Sequence, residues 1–96
     1  MLQQITIQTS DAKRLKPLIK SAIRSQLDDT ERGIQLTRER MAAFEKQYNI
    51  SSAEFERRFH PGDLEERLDF IEWEGEIETL LLLDEKKSII QSAHIK

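Results

Sequence analysis

The chain has no cysteine, so it can form neither a disulfide framework nor a thiolate metal site. Only three glycines and two prolines interrupt its 96 residues, and the glycines are too dispersed to build a GxxxxGK[ST] or GxGxxG phosphate loop. With only two histidines, His60 and His94, there is no HExxH and no Glu-x-x-His pair, and a zinc or di-iron site is not expected. No long hydrophobic run exists. The longest, Leu80 to Leu83, is far too short to span a bilayer. Residues 1–10 lack the basic start and apolar centre of a signal peptide, which leads us to expect a cytoplasmic protein without a membrane role.

What is abundant is charge, at 34% of residues against 38% apolar. That apolar share is low for a globular chain, yet it is too well patterned for a disordered one. A chain of this length makes at most one domain, and it buries a small fraction of its surface unless it associates. The net charge of −3 conceals a strong asymmetry. The first quarter carries Lys13, Arg14, Lys16, Lys20 and Arg24 against the single acid Asp11. Between Asp63 and Glu78, eight residues are acidic and Arg67 alone is basic. A nucleic-acid binder would show an overall basic surplus, so the acidic block is the stronger signal.

Periodicity predicts one all-α domain over residues 1–96: a long helix, a short helix and a third helix folded back as a helical hairpin or bundle, with a short N-terminal strand. Gln4 to Thr9 alternates apolar and polar residues and is expected to form a strand arm within 1–10, pairing with another chain or with the C-terminal tail. A long helix is expected over 11–48, opened by Ser10 or Asp11, with Pro17 either kinking it or marking its true start. From Leu27 the apolar spacing becomes seven, through Ile34, Met41 and Tyr48. Thr30, Thr37 and Phe44 fall between them. Such a seam suits a helical hairpin or coiled coil, and we expect a homodimer through it or through the second stripe of the last helix. Asn49 suits a left-handed helix end, and Ser51 with Glu54 suits a capping box opening a short helix over 51–60. His60-Pro61-Gly62-Asp63 breaks the chain, and an acidic amphipathic helix follows over 63–91.

That last helix carries two apolar stripes. Leu64, Leu68, Ile71, Gly75 and Leu82 form one. Phe70, Trp73, Ile77, Leu80 and Leu81 form the other, with Glu65, Asp69, Glu72 and Glu76 stacked between. A helix apolar on two sides is usually buried on two sides. One side can return to the long helix, and the other needs a second protein surface. Gly75 would admit a helix closely. The carboxylates repel one another along the helix, and a cationic partner would relieve that repulsion. The same carboxylates read equally as a solvated face, and Phe70 and Trp73 each read equally as core.

Two other chemistries are weaker matches. Glu66 and Asp69 supply the ExxD of all-helical magnesium-dependent nucleotide pyrophosphohydrolases, but no upstream ExxE accompanies it. A strand followed by helices suits a ribbon–helix–helix DNA binder, with Gln4, Thr6 and Gln8 toward the bases. That strand lacks Arg and Lys, and no short glycine turn divides the helices. No cofactor and no catalytic residue is indicated, so the chain does not read as an enzyme.

The stretch Phe44-Glu45-Lys46-Gln47-Tyr48-Asn49-Ile50-Ser51-Ser52-Ala53-Glu54-Phe55, then Arg58-Phe59, then Asp69-Phe70-Ile71-Glu72-Trp73-Glu74-Gly75-Glu76-Ile77, resembles a family of short bacterial and archaeal helical proteins. These are common in cyanobacteria and often encoded beside a toxin candidate. Asn49 stands where that family usually has Gly, and Ile50 where Met is common. The resemblance covers the C-terminal half well and the long helix only in general character. It implies an antitoxin that neutralises a cognate toxin, often a basic ribonuclease, by direct binding. On that expectation Glu65, Asp69, Phe70, Glu72, Trp73, Glu76 and Ile77 contact the toxin, with Trp73 and Phe70 as anchors. Leu27, Ile34, Met41, Phe44 and Tyr48 then form the dimer seam. The alternative is a homo-oligomeric structural or adaptor protein without a toxin.

Overall fold

The computed structural model of the chain describes residues 2–59 and 67–95. Three helices follow in order: α1 from Ala12 to Tyr48, α2 from Ser52 to Arg58, and α3 from Leu68 to Gln91. Among the described residues there is no strand. Residues 2–9 are exposed and irregular, which corrects the expected strand arm. The physical reason is the lack of an edge. A strand needs a second strand to take its backbone hydrogen bonds, and the described remainder of the chain offers only helices.

Local chemistry sets the helix ends. The Arg14 backbone N–H donates to Asp11 Oδ1 at 3.1 Å, so Asp11 is the cap that opens α1. Pro17 lies within the second turn, and α1 continues through it to Tyr48. Asn49 ends the helix at φ 56° and ψ 39°, the left-handed conformation that Asn tolerates. Ser51 caps α2 by accepting from the Glu54 N–H at 3.1 Å. Glu54 does not complete the capping box. Its carboxylate pairs instead with Arg57 and Arg58. Glu45, one turn before the end of α1, accepts from the Ser52 N–H at 2.7 Å and ties the α1–α2 elbow together. The last helix begins at Leu68, because Arg67 is extended at φ −91° and ψ 143°; this corrects the expected run from 63, whose first residues Asp63 and Leu64 lie outside the described residues.

α1 and α3 form an antiparallel hairpin. Gln47 donates to Asp69, Phe44 stacks on Trp73, Arg40 pairs with Glu76, and Lys87 reaches Glu31. The pairs step down α1 as they step up α3, so the register holds along the whole overlap. Gly33 has a structural role in it. A Cβ there would stand 3.2 Å from Leu83 Cδ1, so its lack of a side chain admits α3 closely. Ile34, Thr30 and Thr37 are buried in this contact. The Thr30 hydroxyl donates to the Gln26 carbonyl at 2.7 Å, which lets a polar residue sit in the seam without an unpaired group. The seam of Leu27, Ile34, Met41, Phe44 and Tyr48 is therefore the chain's own intramolecular seam. This corrects its assignment to a dimer, because α3 already occupies the place a second α1 would take.

The molecule is long and thin, 58 × 25 × 18 Å, with a radius of gyration of 18.9 Å against about 12–13 Å for a compact domain of this length. Its accessible surface is 8084 Å², against about 5,700 Å² for a compact monomer of 11.3 kDa. α1 alone spans about 55 Å, while α3 covers about 36 Å of it. Along the first turns of α1, Ile7 of the arm and Ile95 of the tail line a shallow groove with Leu15 and Ile19. Leu18 stays exposed there.

Candidate protein-binding surface

α3 is apolar on two opposite sides, and the structure assigns them different work. The side toward α1 carries Phe70, Trp73, Ile77 and Leu80. At the elbow, every aromatic residue of the chain gathers in one cluster: Phe44 and Tyr48 from α1, Phe55 and Phe59 from the α2 segment, and Phe70 and Trp73 from α3. The Trp73 indole is fully enclosed. It stacks on Phe55 with ring centres 4.0 Å apart and on Phe44 at 5.6 Å. Its Nε1–H donates to Ser52 Oγ at 2.9 Å, so the one polar atom of the ring has a partner inside the core. Among the described residues no buried side-chain polar atom lacks one.

These contacts correct the anchor assignment. Trp73 belongs to the chain's own core and is not available on the surface. Phe70 is half-buried among Tyr48, Phe55 and Phe59, with the Arg67 guanidinium over its ring. Ile77 is half-buried on the same side. The reason is shape. α2 crosses the end of the hairpin and needs a large flat group beneath Phe55, and Trp73 supplies it.

The carboxylates divide as well. Asp69 accepts from the Tyr48 hydroxyl at 2.5 Å and from Gln47 Nε2 at 3.3 Å. That hydrogen bond, followed by burial and the nearby negative charge, raises the Tyr48 pKa above its ordinary value of 10.0. Glu76 pairs with Arg40 at 3.4 Å. Glu72 is exposed and borders a shallow groove of about 460 Å³, lined also by Arg40, Ala43, Phe44, Gly75, Glu76 and Thr79. Glu65 lies outside the described residues, as does Glu66 of the ExxD pair. Among the described residues, no group of three or more His, Cys, Asp or Glu stands close enough to hold a metal ion.

The opposite side of α3 is the one left open. Leu68 is 70% exposed, Leu82 64% and Ile89 71%, with Ile71 also exposed and Gly75 between them. With 3.6 residues per turn, these five lie about half a turn from Trp73, in a straight line along the helix. A Cβ built on Gly75 meets nothing within 4 Å. Ile89 is the residue that reading the two stripes had missed. The signal for it was present in the seven-residue spacing of Leu68, Gly75, Leu82 and Ile89. No described helix is long and apolar enough to cross a membrane, so the stripe is not a bilayer span. Comparison with family models, with curated proteins and with solved structures finds no match.

Proposed function

We propose that this chain acts by binding protein: it is an antitoxin-like module that neutralises a cognate basic toxin by contact. The observation that carries the reading is the outward face of α3, an uncovered line of leucine and isoleucine bordered by Glu72, Glu74 and Glu78. None of these three carboxylates has an ion-pair partner among the described residues, so all remain to meet a cation. Apolar contact would supply affinity, and the acidic border would speed the encounter. The resemblance of the Phe44–Phe55, Arg58-Phe59 and Asp69–Ile77 stretches to toxin-adjacent proteins supports the same choice of partner, and on this reading the pair meets in the cytoplasm.

Co-expression with the product of the neighbouring gene tests it. The two proteins should co-purify, growth should recover from toxicity, and affinity should fall with added salt. A triple variant, Glu72→Lys, Glu74→Lys and Glu78→Lys, should keep its helix content and lose binding. Unrelieved toxicity with no complex would refute the reading. A homo-oligomeric adaptor without a toxin is the second reading, favoured by the excess of accessible surface over that of a compact monomer. It requires that the chain associate with itself and bind no neighbouring product.

A further inference from the structure

We propose that a second copy of this chain covers the outward face of α3, the two α3 helices running antiparallel, with Leu82 of each copy seated over Gly75 of the other. In the purified chain the second copy holds this face, and a toxin that binds it must displace that copy, so loss of the dimer and loss of toxin binding are read separately.

Area is the first argument. The chain exposes about 2,400 Å² more than a compact monomer of its mass. A standard interface covers about 800 Å² per partner, and an obligate homodimer about 1,000–2,500 Å². A second copy on α3 would therefore take up part of the excess, the rest lying on the arm and on the first turns of α1. Spacing is the second. Leu68, Gly75, Leu82 and Ile89 recur every seven residues, the period that keeps one helix face against another over several turns. Space is the third. Gly75 opens onto a groove floored by Ala43 and Thr79, where nothing would obstruct an incoming leucine.

Charge then selects the direction. From Leu68 to Leu83, α3 carries Asp69, Glu72, Glu74, Glu76 and Glu78 and no base; Lys86 and Lys87 come only near its end. Parallel helices would stack acid on acid at every level. Antiparallel helices bring the basic end of each against the acidic start of the other. A twofold axis between Glu78 and Thr79 sets Gly75 against Leu82, Leu68 against Ile89, and Lys86 beside Glu72. Lys86 and Glu72 have no ion pair within the described chain, whereas Lys87 already reaches Glu31 at 3.8 Å. The same axis gathers Glu74, Glu78 and Glu85 of both copies along one edge, where a cationic partner would relieve their repulsion.

Sedimentation equilibrium of the purified chain should give twice the 11.3 kDa chain mass. Gly75→Arg places a side chain where the monomer has open space, and Arg is the better helix former. It should keep native helix content and yield a monomer, with association weakened at least about 100-fold. Lys86→Glu should weaken association about tenfold, and adding Glu72→Lys to it should restore the dimer. Because the chain has no cysteine, Glu78→Cys should oxidise to a covalent dimer by itself, while Leu68→Cys should link only when mixed with Ile89→Cys. A wild-type monomer at about 100 µM, the concentration of a weak complex, would overturn the proposal. So would a dimer indifferent to Gly75→Arg. Leu68→Cys linking to itself would overturn the antiparallel arrangement.

Discussion

The two apolar faces of α3 are alike in composition and opposite in fate. The inward face meets a partner of matching shape within the chain: Phe44 and Tyr48 lie against Trp73 and Phe70, and Phe55 closes over the indole. The outward face has aliphatic residues of similar hydrophobicity and nothing to lie against. Hydrophobicity alone therefore does not decide which side of a helix a small chain buries. Complementary rings, a hydrogen-bond acceptor for the indole and a glycine on the facing helix decide it.

The sharpest way to break the comparison is to truncate one residue on each face. Trp73→Ala should cost about 3–5 kcal/mol, since it empties the centre of the aromatic cluster. Leu82→Ala should cost the isolated chain less than about 0.5 kcal/mol, because the side chain is already exposed. Urea titration of both variants, under conditions where the chain is monomeric, measures the gap. Next comes the polar contact inside the cluster. Ser52→Ala leaves the indole N–H unpaired in a buried site and should cost about 1–3 kcal/mol, read in the same titration.

The glycines sharpen the contrast further. Gly75→Ala should stabilise the helix by up to about 1 kcal/mol, as nothing opposes the new methyl group. Gly33→Ala should lose that gain, because the new methyl group would stand 3.2 Å from Leu83 Cδ1 inside the helix contact. The smallest effect is at Tyr48. Its pKa is higher in the folded chain than in the unfolded one, so the stability it contributes is complete below about pH 10 and is lost as pH rises through the folded value. Tyr48→Phe should remove that alkaline dependence, measured as the melting temperature across the alkaline range.

Much of the fold was legible in the residues. The Asp11 cap, the left-handed Asn49 and the Ser51 cap are local signals, and local chemistry alone satisfies them. The seven-residue seam from Leu27 to Tyr48 was legible as a surface that needs a helix. That the third helix folds back on the long one was expected; that it takes this seam, and not a second copy, was not, since a heptad pattern describes one side of a contact only. α3 returns along α1, and the seam closes on itself. The strand over Gln4–Thr9 failed because alternation is equally compatible with an exposed arm. The anchor Trp73 failed for a related reason, and Phe70 is half-buried beside it. Two stripes of similar strength on one helix leave the choice to tertiary fit, and that fit required Phe44, Tyr48 and Phe55 to converge on one end of α3.

The central claim is that Trp73 is held by its own chain and the outward stripe by something else. Tryptophan emission of Leu82→Glu tests it directly, since that change should separate copies without touching the indole. We expect the emission to stay blue-shifted and resistant to acrylamide in the separated chain, as in the wild type. A red shift with easy quenching on separation would mean that the indole is covered by a partner, and would contradict this account.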